Sequence, residues 1–492
     1  MSTTGRKTGR VVVIGAGIAG LAAAHRLLGH GARVTVLEAS GRVGGKLLAG
    51  EIAGVRVDLG AESMLARRPE AVALAREAGL GDLLQPPATA SASIWTRGAL
   101  RPMPRGHVMG VPGTASALAG VLSDEGLARI ERDADLPRTP IGDDVAVGAY
   151  VAARLGREVV DRVVEPLLGG VYAGDAYRIS LRSAVPQLFE AAREHAGLLE
   201  AVRAVQARAA AAPRQSGPVF MGIEGGVGRL PLAVAESVRA RGGEILAGAP
   251  VTELRREHRG EDGGQGGLWR VSAGDRVLHA DAVVLAVPAP VAAGLLGAES
   301  PGAAAELRAV EYASMALVTL AYRRDGARLP EGSGFLVPPV DGRTIKASTF
   351  ASRKWGWIAG ENPDLLVLRA SVGRYGETEI LEREDADLVD VARHDLREAT
   401  GLDAAPVAAR VTRWTDGLPQ YPVGHHARVV RIREHVGKLP GIALCGAAYD
   451  GVGIPACVAS AHAAADQLAG GFRGVQELTA HPVQSLHGGA GE

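Results

Sequence analysis

The chain has 492 residues, enough for two or three domains with a large buried core. Its 54 basic and 54 acidic residues balance, so no general attraction to nucleic acid is expected. Two cysteines are too few for a disulfide framework and lack metal-site spacing, which favours a reducing, cytoplasmic setting and no metal site. No run of about 18 apolar residues occurs, so a spanning helix is not expected, and peripheral membrane contact stays open.

Arginine far outnumbers lysine, and we interpret this bias as a consequence of codon usage. Lysine occurs only at positions 7, 46, 346, 354 and 438.

The first motif is a strand, a glycine-rich turn and a helix. An apolar run at 11–14 predicts a strand and 21–28 a helix, with the turn Gly15-Ala16-Gly17-Ile18-Ala19-Gly20 between them. Such a turn lets the backbone approach a pyrophosphate at a helix N-terminus. The next predicted strand, 33–37, ends at Glu38, a carboxylate placed to bind a ribose diol. The segment therefore predicts dinucleotide binding, with FAD or NAD favoured over NADP.

The rest of the chain mixes helical and strand patterns. Residues 85–218 show several helices and little strand signal, and 213–218 has the character of a linker. A second strand, glycine-rich turn and helix occupy 441–468, and 470–492 has no periodicity. The patterns predict helices at 70–78, 145–155, 159–168, 187–211, 227–241 and 385–400, and strands at 251–254, 268–272, 281–287, 316–322 and 365–372.

The residues after Glu38 point to one dinucleotide. The segment from Ala39 to Lys46, Ala-Ser-Gly-Arg-Val-Gly-Gly-Lys, resembles the R-x-G-G extension of the monoamine oxidase and protoporphyrinogen oxidase superfamily. There it lies along the FAD pyrophosphate, which implies that Arg42 is the cation. The turn at 58–63, the glycine-rich loop at 225–228, Val251, Trp414 and the closing turn at 445–455 resemble further FAD-contacting segments of that superfamily. The implied cofactor-binding residues are Gly15, Gly17, Ile18, Ala19, Gly20, Glu38, Ala39, Arg42, Gly44, Gly45, Lys46, Gly60, Ala61, Glu62, Ser63, Val251, Trp414, Gly446, Val452, Gly453 and Ile454.

Two strand–glycine–helix units at opposite ends of the chain predict an α/β fold. Its Rossmann-type FAD-binding domain is expected to be assembled from the distant segments 10–85, 217–300 and 410–470. Residues 86–216 are expected to form a mainly helical inserted domain and 301–409 a mixed α+β substrate-binding domain. Residues 471–492 are expected to be a flexible tail.

One stretch narrows the superfamily. Glu-Pro-Leu-Leu-Gly-Gly-Val-Tyr-Ala-Gly, from Glu165 to Gly174, resembles the signature of the porphyrinogen oxidases of heme biosynthesis. This resemblance implies FAD-dependent oxidation of coproporphyrinogen III to coproporphyrin III, a six-electron reaction that uses three O2 and gives three H2O2. Gly170 and Val171 are then expected to lie close to the tetrapyrrole, and Arg68 is a candidate partner of a propionate. Flavin N5 accepts the hydride, so no catalytic side chain is assigned.

Several alternatives stay open. Protoporphyrinogen IX is the second candidate substrate, although the lack of a long apolar helix fits the soluble bacterial-type coproporphyrinogen enzymes better. An amine oxidase is disfavoured because aromatic residues, which cage the amine in those enzymes, make up only 4% of the chain. A non-catalytic prenyl-GTPase binder or an NAD-dependent dehydrogenase would not need Arg42 and the glycines that follow it. A transient partner from the heme pathway is suggested by the phototoxicity of a porphyrin product.

Overall fold

The computed structural model describes residues 9–211, 217–257 and 268–479. Most of the predicted linker at 213–218, the turn between 257 and 268 and the tail beyond 479 lie outside the described residues.

A five-stranded parallel sheet brings together segments that are far apart in the sequence. Its strands, in spatial order, are Glu244–Leu246, Arg33–Leu37, Arg10–Ile14, Ala282–Leu285 and Ile442–Leu444. The apolar runs predicted as strands fill its buried interior, because a parallel sheet is covered on both faces. This sheet confirms the predicted α/β fold with a nucleotide-binding domain assembled from distant segments.

Helices and a small antiparallel sheet cover the two faces of the parallel sheet. One face packs against four helices through a single apolar core: Ile18–Gly29, Pro69–Glu77, Arg229–Ala240 and Ile454–Thr479. The other face packs against three helices and three strands: Ala289–Leu296, Pro301–Arg308, His425–Val436, Val251–Glu257, Leu268–Ala273 and Arg276–Ala280. Two small sheets lie near this domain. One is the hairpin of Ala49–Ile52 and Val55–Asp58, and the other contains Met64–Leu65, Phe220–Ile223 and Leu84–Gln85 in that order.

A seven-stranded sheet forms a second layer, separate from the layer of the five-stranded parallel sheet. Its order is Ala408–Pro419, Tyr312–Arg323, Leu365–Val372, Ile345–Thr349, Gly334–Leu336, Ser93–Thr96 and Ala99–Pro102. All neighbours are antiparallel except Gly334–Leu336 and Ser93–Thr96. The predicted helix Asp385–Thr400 is confirmed and packs against one face of this sheet. Two short helices, Ala351–Lys354 and Gly356–Glu361, follow the fourth strand.

The described residues between strand Ala99–Pro102 and strand Phe220–Ile223 are mainly helical, as predicted. Its helices share one apolar core: Asp124–Glu131, Val147–Leu155, Arg157–Val159, Glu165–Tyr172, Leu181–Ala184, Pro186–Glu194 and Leu198–Ala211. Residues Val160–Val164 form a π-helical turn directly before Glu165–Tyr172. Pro166 has no backbone N–H and its ring crowds the preceding turn, which favours this wider turn over regular α-helix.

The sheets divide the chain differently from the predicted domain boundaries. Ser93–Thr96 and Ala99–Pro102, which lie in the segment predicted to be helical, are strands of the seven-stranded sheet. Ala408–Pro419, placed largely in the FAD-binding segment, belongs to the same sheet. Ser93–Thr96 and Ala408–Pro419 pair with strands far along the chain, and Ala99–Pro102 joins the sheet through its hairpin with Ser93–Thr96. Pairing within the sheet, and not their own periodicity, therefore fixes the structure of these strands.

Two predicted helix boundaries are wrong. The helix predicted at 187–211 breaks after Glu194, because the buried carboxylate of Asp133 accepts the Leu199 N–H at 2.9 Å near the start of a second helix. The last helix continues to Thr479 through Gly470 and Gly471, beyond the predicted end at Leu468. No helix among the described residues is long and apolar enough to cross a membrane.

Candidate functional site

The turn between the first strand and the first helix contains two glycines in opposite surroundings. A Cβ at Gly20 would overlap the Gly15 carbonyl, so this position must be glycine for the turn to close. A Cβ at Gly17 would meet no protein atom within 4 Å. Gly17 caps the N-terminus of helix Ile18–Gly29, where backbone N–H groups attract an anion. The structure thus leaves open space at the point where a pyrophosphate was predicted.

Glu38 lies at the end of the neighbouring strand with its carboxylate oriented by the backbone. One oxygen accepts the Ala16 N–H at 2.8 Å, and the other accepts the N–H and hydroxyl of Ser40 at 2.9 and 2.7 Å. A carboxylate has about four acceptor positions, so it keeps capacity for a ribose hydroxyl. Val251 lies nearby, since Gly248 and Ala249 donate to the backbone of Ser40 and Glu38, both at 2.8 Å.

The segment from Arg42 to Lys46 runs beside this turn. Gly44 pairs with Gly17 in a parallel bridge, which brings the two glycine-rich turns together. The Arg42 guanidinium donates to the Gly45 carbonyl at 2.8 Å and is exposed. Lys46 is accessible to solvent, yet the surrounding protein desolvates its ammonium and lowers its pKa. Accessibility together with desolvation is expected of a side chain that lines an open cleft.

The turn from Gly60 to Ser63 connects this cleft to the seven-stranded sheet. The Ala61 N–H lies 3.4 Å from the Lys46 carbonyl, and the Trp414 indole N–H donates to the Leu59 carbonyl at 2.9 Å. Glu62 forms an ion pair with Lys354 at 2.6 Å and lies 3.7 Å from Arg369. Burial raises the pKa of Glu62, but the attraction of these two cations outweighs it and lowers the pKa to about 2. Glu62 is therefore a carboxylate that joins the two layers.

The closing turn lies next to the first helix. A Cβ on Gly446 would be 4.0 Å from the Ala19 side chain, and the Gly446 N–H donates to the Ser460 hydroxyl at 2.9 Å. Val452 packs against the helical core, and Gly453 precedes Ile454, the first residue of the C-terminal helix. The structure therefore places the closing turn beside the first helix, Ile18–Gly29, and the membership of both in one cofactor site stays a prediction.

Gly170 and Val171 lie in helix Glu165–Tyr172, which packs against two strands of the seven-stranded sheet. A Cβ on Gly170 would lie 3.6 Å from the Leu336 side chain, and one on Gly169 would meet no atom within 4 Å. The Val171 side chain is 44% exposed. The uncovered backbone and the exposed Val171 leave room beside this helix, and contact of Gly170 and Val171 with a tetrapyrrole stays a prediction.

Arg68 lies at the start of a different helix from the one that contains Gly170 and Val171. Its guanidinium is exposed and pairs with Glu70 at 2.8 Å at the start of helix Pro69–Glu77. That helix packs against the C-terminal helix and helix Arg229–Ala240, whereas the Gly170 helix packs against the seven-stranded sheet. Arg68 and the residues Gly170 and Val171 therefore lie on helices with different packing partners, and the role of Arg68 as a propionate partner stays a prediction.

Sequence reasoning missed three cations around this site: Lys346, Lys354 and Arg369. The two lysines stand out in the composition, because only five of the 54 basic residues are lysine and the rest are arginine. Lys46, Lys346 and Lys354 all lie at the cleft or in the sheet beside it, whereas Lys438 is exposed far from both. Three of the five lysines therefore place an ammonium in or beside the candidate site, which the codon-usage interpretation did not anticipate.

The arrangement fits FAD. The open face at Gly17, the spare acceptor capacity of Glu38 and the cations Arg42 and Lys46 correspond to a pyrophosphate and an adenosine ribose. Helix Ile454–Thr479 adds a second N-terminus at the same cleft, where it would favour negative charge on a flavin.

Comparison with known proteins agrees with this geometry. The sequence profile of the family described as flavin containing amine oxidoreductase matches residues 18–469. The chain belongs to this family. As a family member it is a flavin-dependent oxidoreductase, and its cofactor is FAD.

Three relatives of this flavoprotein have names that concern porphyrinogens. It is 39% identical to a coproporphyrinogen III oxidase of Mycobacterium tuberculosis, over 91% of this chain and 95% of the relative. It is 32% identical to a coproporphyrinogen III oxidase of Bacillus subtilis, over 92% of this chain and 96% of the relative. It is 31% identical to a protoporphyrinogen oxidase of Bos taurus, over 94% of this chain and 98% of the relative. A crystal structure assigned as a protoporphyrinogen oxidase from Exiguobacterium has a TM-score of 0.82 and 32% identity, covering 94% of this chain and 99% of that one.

Proposed function

We propose that this flavoprotein oxidises coproporphyrinogen III to coproporphyrin III. The observation that carries the proposal is the 39% identity, over 91% of the chain, to a coproporphyrinogen III oxidase. The reaction removes six hydrogen atoms from the substrate and reduces three O2 to three H2O2, so atoms and electrons balance. Protoporphyrinogen IX is the alternative substrate, because a protoporphyrinogen oxidase is 31% identical over a similar length.

The residues of the chain have separate tasks in this proposal. Gly17, Glu38, Arg42 and Lys46 would hold the adenosine diphosphate part of FAD, and Gly453 and Ile454 would lie at the flavin. Bound FAD supplies the two-electron oxidation of a C–H bond and the subsequent reduction of O2.

Gly170 and Val171 would lie against the macrocycle, because backbone without a side chain and an exposed apolar residue admit a flat ligand. We assign no general base, since loss of hydride from a porphyrinogen leaves an acidic pyrrole N–H that can lose its proton to water. The protein therefore contributes binding, orientation and charge placement.

Aerobic turnover of the purified holoprotein tests the proposal, with coproporphyrinogen III and protoporphyrinogen IX assayed side by side. We expect porphyrin fluorescence to rise faster with coproporphyrinogen III and three H2O2 to form for each porphyrin. Faster oxidation of protoporphyrinogen IX would favour the alternative. A yellow, flavin-loaded protein that oxidises neither substrate would contradict both.

A further inference from the structure

Lys346 is a buried lysine in the seven-stranded sheet. It lies in strand Ile345–Thr349 where the register with strand Leu365–Val372 shifts between Ile345 and Ala347. Its side chain is buried, and its ammonium donates to the Gly373 carbonyl at 2.7 Å and lies 3.9 Å from the Met315 sulfur. No carboxylate among the described residues forms an ion pair with it. An ammonium has three donors, so this one is incompletely satisfied.

Lys346 is connected through neighbouring strands to both halves of the candidate site. On one side, Met315 pairs across the sheet with Trp414, whose indole binds the turn before Gly60. On the other side, Ala347 pairs with Leu336, the residue beneath Gly170. These pairings join the strand of Lys346 to the strands that contact both proposed sides of the site, the flavin side and the tetrapyrrole side.

The charges around Lys346 favour an anion. Arg374 is largely buried and donates to the Ile345 carbonyl at 3.3 Å, so a second cation lies beside the lysine. The acidic neighbour, Glu377, pairs with Arg374 at 3.5 Å and is 45% exposed. Burial, and then repulsion by Arg374, lowers the pKa of Lys346 to about 7. An isolated buried ammonium is unfavourable, and a carboxylate bound next to it would remove that cost.

We propose that Lys346 binds a carboxylate of the substrate and selects the tetracarboxylate coproporphyrinogen III over the dicarboxylate protoporphyrinogen IX. This inference rests on the proposed function. Coproporphyrinogen III carries propionates at two positions where protoporphyrinogen IX carries vinyl groups. A buried ammonium opposite a vinyl group stays unpaired, and a site that leaves a polar group unpaired discriminates strongly against that ligand.

The test compares Lys346→Met with the control Lys438→Met, which removes an exposed lysine far from the site. We expect kcat/KM for coproporphyrinogen III to fall about 10- to 100-fold in Lys346→Met, the range for losing a hydrogen bond to a charged group. The value for protoporphyrinogen IX should stay unchanged or rise. Lys438→Met should match the native protein with both substrates.

Two further measurements separate selectivity from structure. Lys346→Met should unfold at the native temperature or above it, since methionine replaces an incompletely paired buried charge. Fluorescence titration with the products coproporphyrin III and protoporphyrin IX should show weaker binding of the first only. Equal losses with both substrates, an unchanged preference, or equal binding of both porphyrins by native and variant protein would overturn the inference. A native protein that oxidises neither substrate would refute the proposed function, while the titration would still decide the role of Lys346 in binding.

Discussion

At the scale of single residues, Glu62 shows how distant side chains set the chemistry of a predicted position. The sequence placed Glu62 at the cofactor through its motif. Its partner Lys354 is 292 residues away, and Arg369 is farther still. All three side chains are less than a fifth exposed, so the ion pairs are weakly screened by solvent.

Replacing Glu62 with Gln should lower the free energy of unfolding by about 3–5 kcal/mol at pH 7, because two buried cations lose their anion. The pKa of Glu62 is about 2 in the folded protein against an ordinary 4.5. Its stabilising contribution is thus complete above pH 4.5 and is lost as the pH falls towards 2. Urea unfolding across this range should show the native and variant proteins converging at low pH. The exposed control Glu51→Gln should behave as the native protein does; a constant difference at all pH values would contradict the assignment.

At the scale of elements, the first strand, turn and helix form from local sequence, and their two glycines have different tasks. Gly20 closes the turn against the Gly15 carbonyl, whereas Gly17 faces open space at the helix N-terminus. Protein packing requires glycine at position 20, whereas no protein atom blocks a side chain at position 17, which leaves room there for a ligand.

Alanine substitutions should separate these tasks. Gly20→Ala should destabilise the protein even without FAD, because its Cβ overlaps backbone that cannot move aside. Gly17→Ala should lower the free energy of unfolding of the apoprotein by about 1 kcal/mol or less. Alanine is a poorer helix N-cap than glycine, but its Cβ would meet no protein atom here. The substitution should nevertheless weaken FAD binding. Thermal unfolding of the apoproteins and flavin fluorescence titration measure both effects, and native affinity in Gly17→Ala would remove this turn from the cofactor site.

At the scale of the whole molecule, the proposed cofactor site draws on three segments that the parallel sheet brings together. The first contains Gly17 and Glu38, the second reaches the site through the backbone of Gly248 and Ala249, and the third contains Gly453. A ligand that contacts all three stabilises the assembled domain and not the unfolded chain.

Removal of FAD should therefore lower the stability of the whole protein. Free FAD at 100 times its Kd should add about 2.7 kcal/mol to the free energy of unfolding. Riboflavin at the same concentration should add less, because Gly17 and Glu38 then have no phosphate or adenosine ribose to bind. Calorimetry at increasing ligand concentrations measures this, and a midpoint independent of FAD would contradict the proposed site.

The sequence by itself determined the dinucleotide turn, four of the five parallel-sheet strands and the family, because turn conformation and helix or strand periodicity depend on neighbouring residues. It did not predict the edge strand Glu244–Leu246. It could not determine the strands at 93–102, the helix break that Asp133 stabilises or the partners of Glu62. The helix break and the ion pairs of Glu62 involve groups 66 and at least 292 residues away that only folding brings into contact. The strands at 93–102 join their sheet through Gly334–Leu336, which is also distant in the sequence. The burial of Lys346 is of the same kind: a lysine has no special chemistry until the surrounding sheet excludes water from its ammonium.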